Sequence, residues 1–599
     1  GFERWPASSY SEEPHPVQTR AETPFDLPMA TASDTLAPRG ADLANPLYYL
    51  ENMETVVGWV LAHHGDLLTP AERRRLDAFR VLPEPARALL TRLVMRTGEL
   101  FRADKLAYPE LPVADALACL ADGGWLRTDP ELALADLFRL YTLAELRQAF
   151  APLLASLGLP RSLPKRELQA RLSPEMSVPN PLKRWPGALP GPVVQLTDMA
   201  LFERIRLMFF GNLRQGWADF VLVELGHQQY ERVPFTPASR AFQCRDHVDR
   251  YLVLHQCREQ LDAGVEPGAV WPQVPEASGN PWLDRRRDRL LLELGRLADR
   301  GGDRDLALRA YAASGHPEAR LKRLRLLERD GRIEDAWRLL ATLPESDAGD
   351  DPSGQGEAEA EGLARLRRRL ARKLNLPAPP PAPRPTIREW TLNLPGPTGP
   401  VEAAVARHLH RDDAPVAYVE NCLIPGLFGL LCWPAVFEPL PGAFFHPFHA
   451  APADLAWPDF VARRQAGFAT CLARLRTDDY RTDILDTWDA KYGLANPFVA
   501  WSELSRSLLE RALACIPAGH LEAMFRRLLQ DVRGHRSGFP DLIRFRPAAR
   551  SGSRYELIEV KGPGDRLQDH QRRWLVYFAH QGIPASVCYL RWHAPESAP

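Results

Sequence analysis

The chain has 599 residues, enough for three or four domains at roughly 100–200 residues each. Its 75 bases and 76 acids leave a net charge of −1, so any basic surface must be local, and only 7 of the bases are lysine. A mean hydropathy of −0.29 and the lack of an 18-residue uncharged apolar run speak against membrane-spanning helices. Eight cysteines without CxxC spacing argue against a disulfide scaffold or a structural zinc site. With no basic segment leading into an apolar one near the start, a reduced, cytoplasmic, multidomain protein is expected.

Residues 1–40 are rich in Ser, Thr, Pro and acids, lack periodicity, and read as a disordered tail. Order begins near Asn45, where Leu47, Leu50, Met53, Val57 and Leu61 follow helical spacing. The pattern predicts helices over 70–80, 84–97 and 113–121, with ADGGWLRTD as a closing strand. Residues 41–130 thus read as a winged-helix-like DNA-binding module, with Arg92, Arg96 and Arg102 as candidate phosphate contacts. Within 131–190, two amphipathic helices flank a turn at Gly158 and Pro160, and the "LG…K.EL..RL" tail resembles a SAP module. Six bases against two acids over 161–185 suit DNA-backbone contact, from Arg161, Lys165 and Arg166 among others.

Residues 191–376 read as almost wholly helical, and 285–345 approach a 34-residue tetratricopeptide period, the mark of stacked helix pairs. Seven acids and no base over 345–361 mark a low-complexity loop, and PAPPPAPRP is a stiff linker within 377–388. The last domain is then 389–599.

Here the chemistry concentrates. A Gly-Phe-Pro turn leads into a strand at 541–545; YELIEVKG (555–562) and ASVCYLRW (585–592) are two more, with a helix at 565–581 between them. Period two puts Tyr555, Leu557, Glu559 and Lys561 on one face, Ile558 and Val560 on the other. If Phe545 opposes Tyr555, Asp541 falls opposite Glu559. Two opposed carboxylates repel unless something positive lies between them, and an oxygen-bound divalent metal answers that need. Lys561 is one side-chain step away on the same face.

Pro540-Asp541 … Glu559-Val560-Lys561 is the PD-x(n)-E-x-K pattern, and GFPDL with EVKGPGDRLQDHQRRWL resembles the virus-type replication-repair nuclease domain. The whole order of modules resembles the bacterial Fanconi-associated nuclease. The resemblance implies a multidomain, mainly α chain with a C-terminal α/β PD-(D/E)xK domain. It further implies that Glu420, from an upstream helix, joins Asp541, Glu559 and the Val560 carbonyl in holding one or two Mg²⁺ or Mn²⁺ ions. Lys561 would orient the attacking water, with Gln571 in support. Read as a helix, Val416, Val419 and Leu423 would lay an apolar stripe beside Glu420.

From 501 to 599 there are 15 bases and 10 acids. By the same resemblance Arg533, Arg566 and His570 would grip the 5′-phosphate of a flapped DNA, with Arg573 on the same stripe. His408, His410, His446 and His449 have metal-like spacings, but a carboxylate–lysine site needs none of them. No segment has the Cys/His spacing of a ubiquitin-binding zinc finger. The expected activity is metal-dependent 5′-flap endonuclease and 5′→3′ exonuclease in crosslink repair, in the cytoplasm and at the nucleoid. A four-way-junction resolvase and a non-catalytic DNA-binding scaffold are the alternatives.

Overall fold

The computed structural model describes residues 45–160, 162–215, 229–343, 356–377, 385–396, 399–446 and 449–593. The tail 1–40, Arg161, most of the acidic loop and most of the Pro-rich linker lie outside these.

The N-terminal helices form where their apolar periodicity places them: Pro70–Val81, Glu84–Val94 and Val113–Asp122. Thr69 and Glu72 make a reciprocal capping box at the first of these, and Pro70 fills its first turn. Strands Leu100–Arg102 and Leu126–Thr128 do not pair with each other; Val193–Leu196 lies between them, antiparallel to both. The winged-helix-like module therefore does not close at 130. Its sheet is completed by a strand that returns after the SAP-like segment, in a region read from sequence as helical.

That segment is four short helices, Leu134–Leu140, Leu143–Ala149, Ala151–Ser156 and Lys165–Leu172. They close on a small core of Leu137, Phe138, Tyr141, Leu146, Phe150, Leu168 and Trp185. The repeat region builds helices Pro281–Gly301, Arg304–Ala313, Pro317–Arg329, Ile333–Ala341 and Glu357–Lys373, each packed against the next. Gly302, at φ +87°, ends the first in the left-handed conformation that a side chain would strain.

The C-terminal domain carries a five-stranded mixed sheet ordered Arg388–Pro395, Ala585–His593, Tyr555–Lys561, Leu542–Phe545, Val416–Tyr418. The first three run parallel, joined between 561 and 585 by the crossover helix Asp569–His580; the last two pair antiparallel. Tyr555 and Leu557 point into a large core under helices Leu423–Leu431, Arg506–Cys515, Ala518–Gln530 and Asp569–His580. Ile558 and Val560 point into a smaller one beneath Val401–Leu409. Covered on both faces, every residue of Tyr555–Lys561 is buried, so the polar Glu559 and Lys561 are dry as well.

Candidate active site

The register is the one the loop length predicts: Phe545 opposes Tyr555 and Leu542 opposes Ile558. Asp541, one residue before Leu542, enters the sheet beside Glu559. Its Oδ2 accepts the Val560 N–H at 2.7 Å. Glu559 is fully buried, with Lys561 Nζ 2.7 Å from Oε1. Burial chiefly, then the Asp541 charge, pushes the Glu559 carboxyl up to about 7 against the pull of Lys561. Burial also raises Asp541 to about 6, helped by the Glu420 and Glu402 charges and opposed by the Val560 hydrogen bond.

Glu420 reaches this place by a route other than the expected one. Residues Val416–Tyr418 form a strand on Leu542–Phe545, and the helix starts only at Leu423, so Glu420 stands in the turn between them. The apolar spacing that read as a helical stripe is a strand edge running into a helix start. Backbone pairing decides the matter: the Val419 N–H donates to the Asp541 carbonyl at 2.8 Å. Asn421, at φ +50°, donates to Glu420 Oε1 at 3.1 Å and accepts the Phe539 N–H at 3.2 Å, tying that turn to the Gly-Phe-Pro turn. The carboxylate is exposed and also accepts from the Tyr418 hydroxyl.

Among the described residues no three acidic, His or Cys side chains yet converge on one point. The donor set nonetheless fits a hard divalent cation. Glu559 Oε2 is buried without a hydrogen-bond partner, two carboxylates face each other with ionisation suppressed, and the exposed Glu420 carboxylate, held only by Tyr418 and Asn421 side chains among the described residues, acts on Asp541. Glu402, on the helix over the opposite face, is a further nearby charge that its sequence did not mark.

Around these groups the other candidates sort by partner. Arg533 is exposed on the short helix Val532–His535, and its charge depresses both Arg289 and His316 from the repeat helices, secondary in each case to burial. Arg214 acts on Arg289 as well, and none of Arg214, Arg289 and Arg533 forms an ion pair among the described residues. Sequence reasoning found Arg533 but not the other two, which come from segments far away along the chain: Arg289 on the helix Pro281–Gly301 and Arg214 in the bend after the helix Met199–Phe210. Arg566 is exposed. His570 is half-buried, held down by burial and then by Arg573 and Lys561, and its backbone abuts Gly538. Arg573 is instead engaged with Glu361 at 3.3 Å and Glu357 at 3.8 Å. Gln571 Oε1 accepts the Gln568 N–H at 3.0 Å, closing the start of its helix.

In the N-terminal modules Arg166 is exposed, whereas Lys165 Nζ donates to the Tyr141 carbonyl at 2.7 Å. Arg102 is a correction: 6% exposed, it pairs with Asp104 and Glu145 and holds two modules together rather than facing phosphate. Arg92 pairs with Glu110, and only Arg96 of the three is exposed. His449 takes a structural place, Nε2 accepting the Phe445 N–H while burial pushes it down to about 4.

An α/β sheet that presents Asp541 and Glu559-x-Lys561 from adjacent strands defines a PD-(D/E)xK nuclease. Family models agree along the chain: the VRR-NUC domain matches residues 475–592, the FAN1 HTH domain 47–127, and the Fanconi anemia-associated nuclease SAP domain 131–185. A Fanconi-associated nuclease 1 homolog of Pseudomonas aeruginosa is 46% identical over 561 residues, 92% of this chain and 97% of the relative. The rice homolog is 22% identical over 90% of this chain and 62% of its own length. A crystal structure of paFAN1 bound to 2nt 5′ flap DNA with gap superposes with a TM-score of 0.85 at 46% identity, covering 92% of this chain and all of that one. The chain belongs to the Fanconi-associated nuclease family. It is a structure-selective DNA nuclease of DNA repair, dependent on a divalent metal.

Proposed function

We propose that this nuclease cuts 5′ flaps endonucleolytically and degrades DNA 5′→3′, using Mg²⁺ or Mn²⁺, in the repair of interstrand crosslinks at the bacterial nucleoid. The observation that carries the reading is the pairing of two sites: a buried carboxylate–lysine face, and, on the same domain, Arg533, whose charge acts together with that of Arg214 on Arg289, none of the three being ion-paired among the described residues. Anion-binding arginines of that kind suit a terminal phosphate. The paFAN1 crystal structures, bound to 5′-flap DNA, support the substrate class.

Glu420, Asp541, Glu559 and the Val560 carbonyl would hold the metal, which supplies charge neutralisation at the scissile phosphate and an activated water. Lys561, fixed by Glu559, orients that water and holds its proton network at Nζ. Gln571, at the start of the crossover helix, would support it. Arg533 and Arg566, with His570, position the 5′-phosphate end, while the modules at 41–130 and 131–190 grip duplex backbone through groups such as Arg166 and Arg161. The repeats at 191–376, joined by the 377–388 linker to the nuclease at 389–599, hold those grips at a set distance from the cut.

End-labelled 5′-flap, 3′-flap and four-way-junction DNAs, with and without a 5′-phosphate, test this in Mg²⁺ or Mn²⁺. The 5′ flap should be cut best, and removal of its phosphate should slow or scatter cutting. Arg533→Ala/Arg566→Ala should abolish that sensitivity, since each charge-assisted bond to phosphate contributes about 1.5–3 kcal/mol before screening. Preferred cutting of four-way junctions, indifferent to end phosphorylation, would make the chain a resolvase instead.

A further inference from the structure

A polar contact between the helical repeats and the nuclease fold forms where the helix Glu357–Lys373 meets the short helix before the Gly-Phe-Pro turn. The repeat helix Glu357–Lys373 starts against both ends of Val532–His535, the short helix that carries Arg533. At one end Asp531 caps this helix, its Oδ1 accepting the Gly534 N–H at 2.8 Å, and Gly356 lies against it: a Cβ on Gly356 would meet Asp531 Oδ2 at 2.7 Å. At the other end Glu357 Oε2 accepts from His535 Nε2 at 2.9 Å and from Arg527 at 2.7 Å. His535 Nδ1 donates in turn to the Arg527 carbonyl at 2.6 Å, so both ring nitrogens are engaged. His535 and Arg527 are buried. Burial alone would raise the Glu357 carboxyl, but the His535 hydrogen bond and the charges of Arg527 and Arg573 hold it below its ordinary range.

From His535 the chain runs six residues to Asp541 and is fastened along the way. The Ser537 carbonyl accepts the Trp574 indole N–H at 3.2 Å, Gly538 abuts His570, and the Phe539 N–H donates to Asn421. Glu357 therefore stands where one scaffold residue can set the place of two things at once: Arg533, five residues before Gly538 of the metal-face turn, and the turn itself. Arg289, the neighbour of Arg533, belongs to the same repeat scaffold as Glu357.

We infer that Glu357 is a positioning residue: by holding His535 and Arg527 it fixes Arg533 relative to Asp541 and Glu559, and so sets which phosphodiester, counted from a 5′-phosphate, is cut. This rests on the reading of Arg533 as a phosphate ligand. A half-buried carboxylate merely stabilising the fold would lower all cleavage alike. A positioning carboxylate loses the register instead.

The test uses the full chain as Glu357→Ala, Glu357→Gln, Glu357→Asp and Arg533→Ala, on phosphorylated and dephosphorylated 5′ flaps resolved to single nucleotides. Glu357→Ala should spread the cut over neighbouring positions and raise KM about tenfold on the phosphorylated flap only, with kcat within about twofold. Glu357→Asp should partly restore the single cut. Should Glu357→Ala melt below the assay temperature, the isosteric Glu357→Gln decides by the same readings. If the unmodified enzyme ignores the phosphate, the Arg533 reading falls and this inference with it. If the unmodified enzyme responds and Arg533→Ala does not, yet the Glu357 variants cut at the unmodified position, the inference alone is overturned. An equal loss on both flaps with the cut site unchanged overturns it too.

Discussion

Replacing Asp541 by Asn should make the metal-free protein more stable while ending its activity. Asn keeps an oxygen to accept the Val560 N–H but cannot ionise beside Glu559. The magnitude follows from the Asp541 carboxyl, raised from 3.8 to about 6. Between those values the unfolded chain has given up a proton that the folded chain keeps, so stability falls as pH rises through the window and the full loss is present above 6. At about 1.4 kcal/mol per unit, the loss approaches 3 kcal/mol, and the Asn variant is free of it. Thermal melts in a chelator, followed on the nuclease unit, should show the two proteins nearly level at pH 4 and the variant several degrees higher at pH 8. Adding Mn²⁺ should reverse the order, since only the unmodified site gains binding energy. A variant that melts lower at pH 8 in chelator, or that still cleaves DNA, would refute the argument that Asp541 and Glu559 are strained carboxylates awaiting a cation.

Lys561→Ala should abolish cleavage with flap binding nearly intact, because affinity comes from distributed bases, and should lower metal-free stability at pH 8 by about 3 kcal/mol by leaving Glu559 unpaired; gel-shift, cleavage and melting measurements separate the three. Glu420→Gln should weaken Mn²⁺ binding about tenfold or more in a direct titration while leaving the melting temperature of the metal-free protein within a degree or so, the carboxylate being exposed. Gly538→Ala meets the His570 backbone at 2.9 Å from a residue at φ +92°, so it should cost about 1–3 kcal/mol by chemical denaturation and reduce cleavage through the displaced turn; a neutral result would mean the turn is not held there.

The helices at 70–81 and 84–94, the strand pair around the 546–554 loop and the facing of Asp541 on Glu559 were legible in the amino-acid sequence, because each depends on a local period and on one short reversal of the chain. The edge strand Arg388–Pro395 carried the same kind of signal, Trp390, Leu392 and Leu394 at period two, beside a proline-rich stretch that drew the boundary across it. Glu420 could be assigned by resemblance, but its placement in a turn required the pairing of Val416–Tyr418 with a strand more than 120 residues on. The arginines divide by that same criterion. Whether Arg102, Arg573 and Arg533 look alike in sequence is beside the point; Arg102 meets Glu145, Arg573 meets Glu361, and Arg533 has no ion pair among the described residues while its charge acts on Arg289 and His316. A period is written along the chain, whereas the partner of a charge is chosen by whatever segment the folded core brings within a few ångströms, and only the tertiary structure makes that choice.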